Sequence, residues 1–176
     1  MKILVIGENC KDRFIYCEAS RLSPEAPVPV FNPTFQEENP GMAGNVVENL
    51  KSMDESLILN FIHQKEKIVK TRYVDEKSNH MFIRVDEETN VSPLELTDEM
   101  IQEIEESDAV IVSDYNKGFL TNEALHMISN YAKCSILDSK RTMLPIFKNF
   151  TFIKLNKNEK LQQKDDLISE LNIITT

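Results

Sequence analysis

The chain has 176 residues, 41% of them apolar and 28% charged, enough for one globular domain with a sizeable core and short for two. Its formal net charge of -9 repels phosphate backbones and anionic lipid, which argues against nucleic-acid and membrane partners. The opening MKILVIG is far too short to span a bilayer, and Glu8, Asn9 and Lys11 stand where a signal peptide carries small residues. Cys10, Cys17 and Cys134 lack metal-type spacing, so together with the scattered His63, His80 and His126 they read as reduced thiols and ordinary histidines of a cytoplasmic protein.

Residues 2–6, KILVI, are a short apolar run ending in Gly7, the pattern of a buried first strand in an α/β domain. FIYCEAS (14–20) alternates loosely. VPVF (28–31) is β-prone, although Pro29 confines it to an edge strand or a lid. The surrounding stretch, RLSPEAPVPVFNPTFQEENPGMAGNVVENL (21–50), holds five of the seven prolines and two of the four glycines. Such a concentration implies a backbone held in one shape. Val46, Val47, Leu50 and Met53 recur at spacings of three and four, which predicts a helix over 41–54. LILNFI (57–62) reads as a second buried strand. Thr71–Val74 and Met81–Val85 read as a hairpin around DEKSN.

Thr97 is placed to cap a helix with acidic residues in its first turn. DAVIVSDY follows as a strand over 109–112. TNEALHMISNYAKC is an amphipathic helix with Leu125, Ile128 and Ala132 on one face. SILDSK and FTFIKL are further strands, 161–171 is a predicted helix, and NIITT opens one more strand. Alternating strands and helices predict a parallel α/β sheet with ligands at the carboxyl ends of its strands. That rule singles out Glu8 to Asp12, Ser113 to Lys117, Asp138 to Lys140 and Asn156 to Glu159.

Four motifs sit at such positions. In NPGMAGN (39–45), Gly41 and Gly44 expose backbone N–H groups near a helix start and Asn45 adds a side-chain donor and acceptor. The motif either grips hydroxyls or an anion, or is a loop with a helix cap. SDYNKG (113–118) offers Asp114 to a hydroxyl and Lys117 to a phosphate, or is a solvated turn closed by Gly118. In KTRYVDEKSNHMFIRVDEE (70–88), alternation can put two of Lys70, Arg72 and Arg84 on one face toward an anion. The alternative is an exposed hairpin with ordinary charges. Asn156 and Glu159 either order a metal-bound water near phosphates or start a helix.

Taken in order, these segments resemble the ribokinase-like (PfkB) carbohydrate kinases, and within them the heptose 7-phosphate kinase domain of bacterial ADP-heptose synthase. SRLSPEAPVPV (20–30) carries the most specific likeness, to Ser-Arg-(Ile/Leu)-Ser-Pro-Glu-Ala-Pro-Val-Pro-Val. PGMAGN is similar to the family's Pro-Gly-Gly-Ala-Ala-Asn, KTRYVDEKSNHMFIRVD to its hairpin, and VSDYNKGFLT to its Ser-Asp-Tyr-x-Lys-Gly-x-Leu. LDSKR is similar to its Asp-Pro-Lys loop and LNKNE to its Asn-x-x-Glu element.

The resemblance implies one ribokinase-like domain over 1–176, with a β lid from segments near 13–38 and 70–86 and without the C-terminal nucleotide-binding part. It implies sugar contacts from Asp12, Gly41 and Asn45, a sugar-phosphate clamp of Lys70, Arg72 and Arg84, and a cleft lined by Asp114, Tyr115 and Lys117. ATP and Mg2+ are the implied cofactors, with Asn156 and Glu159 near the nucleotide and Glu159 helping to place the metal. A homodimer through the lid and a complementing C-terminal chain are the implied partners.

The departures shape the functional reading. Glu8 stands where the family has Asp. Met42 replaces the motif's second glycine, which predicts crowding of the sugar. The passage between Leu50 and Lys70 has room for one strand only. The family's Gly-Ala-Gly-Asp, which supplies an anion hole and a catalytic base, has no counterpart among Gly7, Gly41, Gly44 and Gly118. The chain therefore reads as a truncated kinase domain not competent by itself, or as a sugar-phosphate-binding or dimerisation module.

Overall fold

The computed structural model describes residues 1–87, 89–161, 163 and 173–175. In chain order the strands are β1 (Lys2–Gly7), β2 (Asn9–Leu22), β3 (Pro29–Met42), β4 (Ile58–Ile62), β5 (Val69–Asp75), β6 (Met81–Glu87), β7 (Ala109–Asp114), β8 (Ser135–Ser139), β9 (Phe152–Leu155) and β10 (Ile173–Thr175). The α-helices are α1 (Ala43–Met53), α2 (Asp98–Glu106), α3 (Asn122–Tyr131) and α4 (Lys157–Leu161), with a 3-10 turn at Pro145–Asn149. Two compact units emerge. Unit 1 is Met1–Asn9, Met42–Glu66 and Asn90–Thr176; unit 2 is Cys10–Gly41 and Lys67–Thr89.

Unit 1 is built on a six-stranded sheet in the order β10-β9-β8-β7-β1-β4. Every neighbouring pair in it is parallel. β1 lies inside the sheet, and Ile3 to Gly7 are all buried, as a near-continuous apolar run predicts for a parallel strand covered on both faces. Strand alternation sends Leu4 and Ile6 into the larger core, with Ile104 of α2, Leu125 and Ile128 of α3 and Phe147. Val5 goes to the other face, against Ala43 and Val47 of α1. Burying each such Leu or Ile contributes about 1.5–3 kcal/mol, so the two layers are held chiefly by apolar contact.

The helix starts follow local chemistry. Thr97 Oγ1 accepts the Met100 N–H at 3.4 Å, and Thr121 Oγ1 accepts the Ala124 N–H at 3.0 Å. Both satisfy donors that a first helical turn leaves unpaired. Ala132, expected within α3, is its C-cap, and it still packs against the larger core. The helix predicted for 161–171 falls outside the described residues except Leu161, which ends α4.

Two further readings are corrected. Residues 57–62 do not form a buried strand: β4 closes one edge of the sheet, and Ile58 is 61% exposed. An apolar run of this length has the same signature at an edge as in the middle. The helix expected from Gly41 begins two residues later, because Gly41 and Met42 end β3.

Unit 2 is a four-stranded sheet in the order β3-β2-β5-β6. β5 runs parallel to β2 and antiparallel to β6, and the β5–β6 pair is the hairpin read around residues 75–79. β3 lies at an edge and carries Pro29, Pro33 and Pro40, consistent with prolines that cannot donate to a second neighbour. β2 and β3 each span 14 residues. Asn32, Glu37, Glu38 and Asn39 have poor strand propensity, and pairing with β2 overrides it.

The end of β1 tolerates no side chain at Gly7. A Cβ there would lie 2.1 Å from the Ser113 carbonyl oxygen and 2.9 Å from its carbon, both backbone atoms of the adjacent β7. Gly7→Ala must therefore part the two strands at their carboxyl ends. We expect a loss of about 2–3 kcal/mol, read in thermal denaturation as a Tm lower by roughly 5–10 °C.

Candidate functional site

In unit 1 the loops after β1, β7, β8 and β9 emerge from the carboxyl ends of parallel strands. β7 ends in Asp114, whose side chain is fully buried. Its Oδ1 accepts the Asn116 N–H at 2.9 Å. Its Oδ2 accepts Ser139 Oγ–H at 2.6 Å and Arg141 Nε–H at 2.6 Å. Arg141 also donates to the Leu120 carbonyl. Each oxygen of Asp114, read from the sequence as a hydroxyl ligand, thus accepts hydrogen bonds from the protein, and the side chain braces the loop.

Tyr115 and Lys117 follow in that loop, half-buried and exposed respectively. Their backbone N–H groups donate to the two carboxylate oxygens of Glu8, Tyr115 to Oε2 at 2.8 Å and Lys117 to Oε1 at 3.0 Å. Glu8 is completely buried. Burial pushes its pKa up, the Asp114 charge adds to that, and the two N–H donors work against it. Between the ordinary carboxylate range and this raised value the folded chain holds a proton that the unfolded chain has lost. Stability from this group therefore falls as pH rises through that window.

After β9, Asn156 and Glu159 form a reciprocal cap on α4. The Glu159 N–H donates to Asn156 Oδ1 at 2.9 Å, and the Asn156 N–H donates to Glu159 Oε2 at 2.8 Å. Glu159 Oε1 is paired with Lys140 Nζ, which also lies 5.8 Å from the centre of the Tyr115 ring. Burial alone raises Glu159, but the hydrogen bonds from Lys140 and the Asn156 amide, with nearby lysine charge, hold the carboxyl below its usual range. The hydrogen bond to Glu159 in turn raises Lys140. Among the described residues no group of three or more His, Cys, Asp or Glu gathers to hold a metal ion.

Asn45 is exposed in the first turn of α1. Met42, just before it, has φ 53°, a shape that favours glycine and costs about 1–3 kcal/mol in other residues. Its side chain is buried. The backbone here takes a shape that suits the glycine of the family motif, and Met42 is buried.

Unit 2 carries a charged face. Asp12 lies opposite Lys70 and Phe14 opposite Arg72 in the β2–β5 register. Arg72 lies opposite Arg84, and Lys70 opposite Asp86, in the β5–β6 register. Strand alternation therefore puts Asp12, Lys70, Arg72, Arg84 and Asp86 on one side of the sheet. Arg72 Nη1 donates to Asp12 Oδ1 at 2.6 Å, with its guanidinium 5.1 Å from the centre of the Phe14 ring. Arg84 grips Asp86 with two hydrogen bonds, 2.6 and 2.5 Å. Gly41 packs here as well: a Cβ would fall 2.3 Å from Asp12 Oδ2 and 2.6 Å from the buried Cys10 sulfur.

The predicted residues thus separate into a unit 2 set (Asp12, Gly41, Lys70, Arg72, Arg84) and a unit 1 set (Asn45, Asp114, Tyr115, Lys117, Asn156, Glu159). The strand-end rule singled out Glu8, Ser139 and Lys140 without giving them a role, and Arg141 and Asp86 were not assigned. A charged residue directly after a strand-ending glycine was the available signal for Glu8; Ser139, Lys140 and Arg141 meet partners 19 to 27 positions away, and Asp86 is gripped by Arg84 of its own strand.

No family model matches the chain. Among curated proteins it is 30% identical over 188 residues to Bifunctional protein HldE of Campylobacter jejuni, a match covering 92% of this chain and 41% of that protein. It is 31% identical over 193 residues to Bifunctional protein HldE of Helicobacter pylori, covering 90% of this chain and 42% of that protein. The chain spans about two-fifths of the length of these relatives. Among solved structures it resembles a carbohydrate kinase from Agrobacterium tumefaciens, with TM-score 0.62 and 12% identity, covering 99% of this chain and 70% of that one. It also resembles Arabidopsis thaliana ribokinase complexed with ribose and ATP, with TM-score 0.56 and 8% identity, covering 89% and 60%. The fold is ribokinase-like.

The Asp114–Arg141 pair gives a direct test of this arrangement. Arg141→Ala leaves a buried carboxylate without its cation, and should destabilise the chain by about 3–5 kcal/mol in chemical denaturation. Adding Asp114→Asn should recover part of that loss, because the stranded charge is then gone.

Proposed function

We propose that this chain, which belongs to the ribokinase-like (PfkB) carbohydrate kinases, recognises a phosphorylated sugar and does not transfer phosphate with its own 176 residues. The observation that carries the reading is the placement of Arg72 directly opposite Arg84, with Lys70 on the same face. Like charges facing each other across an antiparallel pair destabilise a sheet. Asp12 and Asp86 offset two of the three positive charges, which leaves the set at a formal +1. A dianionic phosphate suits such a face, because guanidinium groups bind its oxygens in pairs.

In unit 2 the clamp is Lys70, Arg72 and Arg84, with Asp12 beside a Gly41 whose missing side chain leaves that carboxylate room. In unit 1, Asn45, Tyr115 and Lys117 are assigned to carbohydrate recognition. The likeness of the SRLSPEAPVPV motif to heptose 7-phosphate kinases favours a heptose 7-phosphate as the sugar.

The residues present do not fit a complete donor site for ATP and Mg2+. Glu159 is held by the Asn156 amide and Lys140, and no Gly-x-Gly-Asp occurs in the sequence. Phosphoryl transfer rests on positioning and charge stabilisation, and the loss of one oxyanion donor alone costs about two to three powers of ten. Catalysis on this reading needs a complementing chain or segment that brings those groups.

A scanning thermal-shift panel checks the reading. At 100 times its dissociation constant, a heptose 7-phosphate should add about 2.7 kcal/mol, or roughly 5–10 °C in Tm. ATP–Mg2+ alone should add nothing. Arg84→Ala should weaken the sugar-phosphate effect by about tenfold in affinity or more. A shift with ATP–Mg2+ alone, or none with any sugar phosphate, refutes the assignment.

A second reading, a homodimer through unit 2, is favoured by Met81, Ile83 and Val85. They alternate with Phe82, Arg84 and Asp86 along β6, and each remains roughly half exposed. Light scattering on Ile83→Asp should report a monomer where the unaltered chain reports a dimer.

A further inference from the structure

Glu8 is completely buried, like the Asp114 side chain, but unlike Asp114 it is not paired with a lysine or arginine. A carboxylate in that position is costly unless donors surround it. Its donors are the N–H groups of Tyr115 and Lys117, alternate residues of a single loop. Between them Asn116 has φ 56°, and Gly118 follows at φ 103°. Asn and Gly are the residue types that accept a left-handed backbone most readily, and at these two positions they turn the loop so that both N–H groups reach Glu8. Asp114 braces the same loop from its other end through Arg141 and Ser139. The backbone carbonyl of Glu8 also accepts the Ala43 N–H at 2.9 Å, which ties the start of α1, two residues before Asn45, to the same point. One residue at the tip of β1 thus anchors both unit 1 segments to which carbohydrate recognition is assigned.

We infer that Glu8 is a positioning residue: its ionised side chain fixes the Tyr115–Lys117 loop, and its carbonyl fixes the start of α1, so that Asn45, Tyr115 and Lys117 are presented in one geometry. The family resemblance puts aspartate here, which is one methylene shorter. With Asp the two N–H groups and the carboxyl cannot meet in this geometry without a shift of strand or loop. The longer side chain therefore tunes the loop of this particular chain. Asp114 is the titratable group beside Glu8 that bears on its charge, and Arg141 compensates Asp114. Protonation of Glu8 removes one of the two acceptors and frees part of the loop.

The inference rests on the sugar-phosphate reading for its effect on ligand affinity, and not for its effect on the loop. The test is Glu8→Gln, followed by amide hydrogen exchange and calorimetric titration with a heptose 7-phosphate. Gln keeps the size but presents one acceptor and one NH2 to two N–H donors. We expect the Tyr115 and Lys117 amides to exchange about tenfold faster or more, with the Val110 to Val112 amides of β7 unchanged. We expect sugar-phosphate affinity to fall by about tenfold. In the unaltered chain, the Tyr115 and Lys117 amide shifts should titrate together with one midpoint above the ordinary glutamate range. That measurement decides the matter should Glu8→Gln fail to fold. Unchanged exchange at both amides, loss of protection throughout β7, or separate midpoints would each overturn the inference. Absence of any ligand binding in the unaltered chain would refute the sugar-phosphate assignment, while loop exchange still decides the role of Glu8.

Discussion

Unit 1 depends on where β1 stops. β1 is hydrogen-bonded along both edges, to β4 and β7, so its direction and height are not adjustable. At its end Gly7 admits the Ser113 carbonyl where any side chain would collide. The next residue turns a carboxylate inward to meet the backbone of the loop that leaves β7. Close approach of two strands and burial of an acid are thus adjacent parts of one joint. Neither is favourable alone: the glycine gives up side-chain burial, and the acid gives up water. Together they hold a loop with two left-handed residues in a single shape.

The same logic governs the carboxylates nearby. Asp114 ends a strand and Glu8 and Glu159 follow strands of one parallel sheet, at the carboxyl ends where ligands of such folds bind. Each is satisfied differently. Asp114 has an arginine and a hydroxyl, Glu159 has a lysine and a helix-start amide, and Glu8 has only amides. Glu159 is thereby held in its charged form, while burial pushes Glu8 toward its protonated one. The strand ends are therefore not a uniform row of ligands. Some of these groups brace the loops from which others project.

In unit 2 electrostatics and packing are arranged differently. Three cations and two carboxylates share one side of a small sheet, with Arg72 facing Arg84 across the ladder. Ion pairs with Asp12 and Asp86 hold the arginines in defined positions, partly exposed. Surface pairs of this kind contribute little to stability, so their value lies in orientation. On the proposed reading, that orientation serves to meet an anionic substituent on a carbohydrate.

Much of this was legible in the sequence. The apolar runs of β1 and β7, the Thr97 cap and the 75–79 hairpin are local signals, set by side-chain alternation, capping chemistry and turn propensity over a few residues. The ordered motifs, above all SRLSPEAPVPV, were enough to indicate the family and the types of residue to examine. Tertiary structure alone decided that LILNFI is an edge strand, because edge and centre differ only in what lies beside them. It decided that Asp114 and Glu159 are paired with Arg141 and Lys140, which reach them from 27 and 19 residues away in the chain. It decided that Met42 is buried and that Glu8 holds a loop more than a hundred residues downstream. A carboxylate in a sequence carries the same charge whether it meets a ligand or a neighbouring amide, and only the folded backbone determines which of the two is within reach.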